Sequence, residues 1–279
     1  MRFYITVFLI LVSFLSCKSD KEKIINVSNV DVNFSIKRFE VAFYSATAEK
    51  LPNLKNEYPY LFPKSFTDSL AIAKISDKNE KELFNETQKI YKDISVLETE
   101  LSSLFKYVKY YNPKFESPNV ITMISNIDYN SRVIYADSLL LVSLDVYLGK
   151  EHQFYVDYPK YIKENNTKDN IIVDVANSII EKQLLPVSNR SFIGKMIQTG
   201  KKLYLLDMYL PNTLDRLKIG YSQNKLDWAI TNEEQIWMYF IEKKLLYSSE
   251  TKLNKRFIDN APFSKFYMEQ DNLSPGKIG

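Results

Sequence analysis

The stretch "LLLVSLDVYLG" at residues 139–149 sets the architecture of this chain. Its β-branched and apolar residues show no helical period and stop at Gly149, the signature of a strand. Two shorter runs of the same kind precede it, Val120, Thr122 and Ile124, then Val133, Ile134 and Tyr135, divided by the turn signals "DYNS" and "ADS". Together they predict a three-stranded antiparallel sheet over residues 119–148. Asp145 is the only charge inside the long run. Alternation places it with Leu141 and Ser143, opposite Leu140, Val142, Leu144 and Val146. A carboxylate there either faces solvent on the sheet's second face, or is buried and lines a groove with partners that offset its desolvation.

Outward from the sheet the pattern is helical. Leu83, Ile90, Ile94, Leu97, Leu101, Leu104 and Val108 recur at spacings of three, four or seven and predict one long helix that stops at Asn112-Pro113. Phe39 and Phe43 form an i,i+4 pair that predicts a short helix. The prolines of "LPNLKNEYPYLFPKSF" (51–66) predict a helix end followed by an irregular, aromatic-rich connection. After Gly149 helices are expected over 171–185, 192–209, 214–219 and 231–246. In the last of these, Thr231 and Glu234 fit a capping box, with Ile236, Trp237, Phe240 and Ile241 as the buried stripe and Glu233 as a first-turn acid suited to the helix dipole. The fold class is α+β, mostly helical, with one small antiparallel sheet in the middle.

Composition limits the chemistry. With 37 basic and 34 acidic residues spread along 279, the net charge is +3, and no run of either sign supplies the footprint of a nucleic-acid binder. Six glycines and the absence of GxGxxG and GxxxxGK[ST] remove the main warrants for nucleotide binding. One cysteine, Cys17, excludes an internal disulfide and a multi-cysteine zinc module, and one histidine, His152, excludes HExxH. His152 follows the last strand with Glu151 and Asp157 nearby. It reads as an exposed or locally hydrogen-bonded side chain, with a general base as the sharper alternative.

At the N-terminus, Arg2 precedes an apolar run from Phe3 to Ser16, long enough for a signal h-region and short for a bilayer span of about 20 residues. It ends in "FLSC", which resembles a bacterial lipobox. Residues 1–16 are therefore expected to be a lipoprotein signal peptide, with Cys17 carrying diacylglycerol and an N-acyl chain. Residues 17–33 follow as a lipidated tether, opening on the polar "KSDKEK", and residues 34–279 as a single globular domain.

The succession "FEVAFYS", "YYNPKFESPNVITMIS", "SLLLVSLDVYLGKEHQFY", "GKKLYLLDMYLP" and "IGYSQNKLDWAITNEEQIWMYFIEKKLLYS" resembles the GldB family of Bacteroidota gliding-motility lipoproteins. The resemblance implies a membrane-anchored lipoprotein of the cell envelope whose partners are envelope proteins of the gliding or secretion apparatus. It also implies a zincin-like scaffold, because the family is similar to zincin-like peptidases. Where those carry HExxH, the helix after the sheet here reads "IIVDVANSII". The later "NEEQIW" looks like a third-ligand helix, with Glu233 at the glutamate and Asp174 as an oxygen donor. One such Glu falls short of a zinc site, so no metal or other cofactor is expected. The family resemblance would continue past "LSPGKIG" into another amphipathic helix, so the chain is expected to be truncated or short at that end.

These readings converge on a non-catalytic binding or scaffold protein on a degenerate peptidase-like fold. The alternative is a divergent zinc-dependent or carboxylate hydrolase using Asp145 and Glu233, with His152 and Asp174 completing the candidate groove. A glycan-binding module is the third possibility, since exposed Tyr and Trp faces stack on sugars.

Overall fold

The computed structural model describes residues 25–136, 138–260 and 276–279. The signal segment and Cys17 lie outside the described residues. Four strands form one sheet: β1 (Ile36–Arg38), β2 (Asn119–Met123), β3 (Val133–Ala136) and β4 (Leu139–Ser143). Their order is β1-β2-β4-β3. β2 pairs parallel with both β1 and β4, whereas β3 and β4 form an antiparallel hairpin in which Val133 faces Val142 and Ala136 faces Leu139.

The sheet is thus mixed, not antiparallel as expected. β4 inserts between β2 and β3, so the strand that follows β2 in sequence is not its neighbour. β1 escaped sequence reading because "IKR" is too short to show a period. Insertion also explains the unbroken apolar run of β4. On one face Val120, Leu140 and Val142 pack into the main core; on the other Ile121, with the partly buried Leu139 and Leu141, meets Phe43, Leu51, Leu54, Tyr58 and Ala71. Strands covered on both sides read as continuous hydrophobic runs.

Helices α1 (Phe39–Tyr44), α2 (Leu51–Glu57), α3 (Asp68–Ser76), α4 (Lys78–Tyr91) and α5 (Ser95–Tyr111) lie between β1 and β2. The long helix expected over 83–111 is two. The Asp93 carboxylate accepts the Ser95 N–H at 2.9 Å, and Ile94 leaves helical geometry at φ −112°, ψ 12°. Such a local bond offers the backbone an alternative to the helical ladder. α5 then ends at Tyr111, before Asn112-Pro113 as expected, and buries Leu97, Leu101, Leu104 and Val108.

Downstream come α6 (Lys160–Lys163), α7 (Ile171–Gln183), α8 (Phe192–Tyr209), α9 (Asp215–Ile219), α10 (Gln223–Thr231), α11 (Glu233–Glu242) and α12 (Lys252–Phe257). The capping box does not form. Thr231 closes α10, and Asn232, which starts α11, offers no side-chain cap. The stripe is narrower too: Ile236 and Phe240 are buried against Phe192, Trp228 and Phe257, while Trp237 is 43% and Ile241 60% exposed. Each step along a helix rotates a side chain by about 100°, so a helix packed along one i,i+4 pair turns the next pair outward. At the domain's start, residues drawn as tether lie on the core: Val27 is buried, and the Tyr107 hydroxyl donates to the Ile25 carbonyl at 3.0 Å. Residues 276–279 are also held. Tyr221 donates to the Gly276 carbonyl, and the Gly279 N–H donates to the Phe257 carbonyl at 2.8 Å.

Candidate functional site

A strained loop delivers the site's central cation. Because β4 lies between β2 and β3, the 124–132 connection must pass the C-terminal end of β4. There the chain turns through two consecutive left-handed residues, Asn126 (φ 61°) and Ile127 (φ 59°). For a β-branched residue this costs about 1–3 kcal/mol. Asp145, in the turn that ends β4, supplies the compensation. Its carboxylate accepts the Ile127 N–H at 2.6 Å and the Ser125 N–H at 3.0 Å. Glu80 accepts from the Asn126 amide at 2.9 Å, and the Tyr158 hydroxyl donates to the Ile127 carbonyl at 2.8 Å. Asp145 is completely buried. Burial pushes its carboxyl up, and the N–H groups of Ile127 and Ser125 pull the other way. Of the two sequence alternatives the solvent-facing one fails. The buried carboxylate instead braces a loop.

That loop carries Tyr129 and Arg132 to a cleft of about 570 Å3 between the N-terminal half of α7, α8 and the α9 region. The Arg132 guanidinium lies 4.2 Å from the Tyr129 ring centroid, donates from Nη1 to Asp174 Oδ2 at 2.9 Å and from Nη2 to Asn166 Oδ1 at 2.8 Å. The Tyr147 hydroxyl donates to the same Asp174 oxygen at 2.8 Å. Asp174 sits in the first turn of α7, where the helix dipole favours an anion. Burial raises its carboxyl, and Arg132 opposes this. Asn177 lies one turn further along α7 and faces the same cleft. Gly220 closes α9 at φ 77° on the opposite wall, where a Cβ would come within 3.1 Å of the Asn165 amide.

The remaining charges of the cleft differ in how they are matched. Lys218 donates to Asp207 at 2.7 Å and to Asp215 at 3.1 Å, and Lys202 pairs with Glu181 at 2.9 Å. Lys277, in a left-handed conformation at φ 59°, reaches only the Ile219 carbonyl among the described residues, at 3.4 Å. Burial lowers its ammonium, Lys202 and Arg132 lower it further, and Asp174 acts against them.

The candidate residues do not converge. Asp174 alone is in the polar cleft, and Asp145 is sealed beneath the loop. Glu233 is exposed at the edge of a separate apolar groove with Ile236 and Trp237. His152 accepts the Phe154 N–H on Nδ1 at 3.3 Å, capping a short turn, and its Nε2 lies 3.5 Å from Glu86. Among the described residues Asp145 and Glu233 share neither a cavity nor a hydrogen-bond partner. Among the described residues no group of three or more His, Cys, Asp or Glu side chains could hold a metal ion. The donors on α7 do not fit zinc: one oxygen of Asp174 is taken by Arg132 and Tyr147, and Asn177 offers only an amide.

Arg132, Tyr147, Asn177 and Lys277 were missed from sequence. Arg132 had one legible signal, as one of six arginines in a chain with 37 basic residues. A planar fork is the side chain suited to joining a carboxylate and an amide at once. Lys277 had none, because its place depends on how the last residues pack.

By its architecture this is an α+β, mostly helical protein with one small mixed sheet and a polar cleft beside it. The chain belongs to the family described as gliding motility protein GldB, whose model matches residues 20–279. Membership associates it with gliding motility and, through a lipoprotein family, with the cell envelope. No curated protein and no solved structure matches the chain. Among the described residues no helix is long and apolar enough to cross a membrane.

Proposed function

We propose that this protein is a lipid-anchored, non-catalytic binding component of the gliding apparatus, held at the envelope membrane by acylated Cys17 and engaging other envelope proteins through its folded part. The peptidase-like scaffold implied by the family resemblance belongs to the same reading. The observation that carries it is how Asp174, the candidate carboxylate in the cleft, is engaged. Asp174 Oδ2 accepts from both Arg132 and Tyr147, which holds the group in place and leaves that oxygen poorly suited to taking a substrate's proton. Asp145 is likewise fully engaged, by backbone N–H groups.

The anchor and the binding role are tested separately. Cys17→Ala should move the protein from the membrane fraction to the soluble fraction, and globomycin should accumulate the unprocessed precursor; unchanged fractionation in both cases refutes the anchor. Crosslinking in intact cells with the full lipoprotein as bait should recover other gliding or secretion components. Stoichiometric zinc in the purified protein, or peptide cleavage abolished by Glu233→Gln, would favour the hydrolase instead.

A further inference from the structure

We propose that the cleft is a binding site for an oxyanion, a carboxylate or a phosphate, carried on a polar molecule of roughly sugar size, with the Lys277 ammonium as its charge partner. Pairing the charges that line the cleft leaves two over among the described residues, the Asp259 carboxylate, which is exposed to water, and this cation, which is not. Arg132 is matched by Asp174, Lys202 by Glu181, and Lys218 by Asp207 and Asp215. Among the described residues Lys277 has no carboxylate within ion-pair distance, and its one hydrogen bond, at 3.4 Å, is long. It is nonetheless half-buried, and it is held there by its neighbours: Gly276 is gripped by Tyr221, Ile278 packs into the aromatic cluster, and Gly279 bonds to Phe257. A long flexible side chain would ordinarily carry its charge out to water.

The polar groups around it have spare capacity. Among the described residues Asn165 and Asn177, both lining the cleft, make no side-chain hydrogen bond, and each amide can donate and accept. That set suits a body bearing hydroxyl or amide groups next to the anionic one. The cleft volume of about 570 Å3 is in the range of small-molecule sites.

The test uses the full lipoprotein purified in detergent and three sugars that share one polar body: glucose, glucuronate and glucose 6-phosphate, titrated by calorimetry at low salt. At least one charged sugar should bind about tenfold more tightly than glucose, the equivalent of one charge interaction. Which of the two binds tighter distinguishes carboxylate from phosphate. Lys277→Met should remove the preference, and Lys277→Arg should keep most of it. Lys202→Met, which removes a charge already matched by Glu181, should change it far less. The proposal is overturned if none of the three sugars binds, if binding ignores charge, or if Lys277→Met matches the unmodified protein. A raised melting temperature in Lys277→Met would establish that a loss of binding is not a loss of fold. The inference rests on the cleft being a binding site; a ligand recovered chemically altered would count against the binding role proposed above and not against the oxyanion site.

Discussion

Replacing Asp145 with Ala should destabilise the protein far more than an ordinary change of one polar side chain. Two backbone donors, Ile127 N–H at 2.6 Å and Ser125 N–H at 3.0 Å, lose their acceptor. Each N–H left unmet away from water costs about 1–3 kcal/mol, so the loss for two should be about 2–6 kcal/mol. For a domain of this size that corresponds to a melting temperature lowered by about 5–15 °C. Asp145→Asn keeps one accepting oxygen but aims an NH2 group at the other N–H, so it should cost about half as much. Urea unfolding followed by circular dichroism measures both, and amide exchange at Ser125 and Ile127 should accelerate locally before global unfolding. An Asp145→Ala variant within about 1 kcal/mol of the unmodified protein, with both amides still protected, would refute the claim that the carboxylate holds the left-handed turn.

The other expectations follow from the cleft and the aromatic cluster. Arg132→Met should cost about 3–5 kcal/mol, because it strands the Asp174 carboxylate, whereas Arg132→Met combined with Asp174→Leu should recover part of that loss in the same unfolding assay. Phe240→Ala, at a fully buried ring, should lose about 3–5 kcal/mol, while Trp237→Ser one turn away should stay within about 1 kcal/mol; equal losses would contradict the packing of α11. Lys277→Met should raise stability at neutral pH by about 1 kcal/mol, since it removes a half-buried cation that has no carboxylate partner among the described residues. The folded protein lowers this ammonium below its unfolded value of 10.5, so the charged form penalises folding, and the penalty fades as pH rises through the folded pKa towards 10.5. The stability gap between Lys277→Met and the unmodified protein should therefore narrow between neutral and alkaline pH, as measured by melting in matched buffers.

The legible parts of this fold were those in which a local rule and the packed structure agree. The α5 stripe of Leu97, Leu101, Leu104 and Val108 and the stop at Asn112-Pro113 needed only periodicity and a proline. So did the helices at 171–183 and 192–209. The strand at 139–143 was also plain, but its neighbours were not. Alternation identifies a strand and its faces; it carries no information on whether the next strand in sequence is the next in the sheet. Taking β2 and β3 as neighbours gave an antiparallel sheet with a solvent face, and with it the solvent-facing alternative for Asp145. The break at Asp93 and the junction at Thr231-Asn232 failed for other reasons. At Asp93 a local backbone preference overrode a hydrophobic period that ran straight through it, whereas at Thr231 the capping-box pattern fell on the last turn of a preceding helix, α10, that was not expected. Most of the site was out of reach because Arg132, Asp174, Asn165 and Lys277 meet only after the loop, α7, the α9 region and the last residues have packed.

The two most informative charges in this molecule are treated in opposite ways, and the contrast separates scaffold from site. Asp145 is wholly buried, yet its carboxylate has N–H donors at 2.6 and 3.0 Å, so its desolvation is offset within the fold itself. Removing it harms the structure first, and the cleft only through the loop that carries Tyr129 and Arg132. Lys277 is half-buried with only one long hydrogen bond and no carboxylate at ion-pair distance among the described residues, and the segment that holds it makes several ordered contacts to keep it there. A fold selected for stability alone would gain by replacing that ammonium with an apolar group, because a buried charge without a partner costs more than the packing around it returns. The free energy missing from the folded chain is then available to a ligand that supplies the negative charge, since binding would relieve a penalty that folding leaves in place.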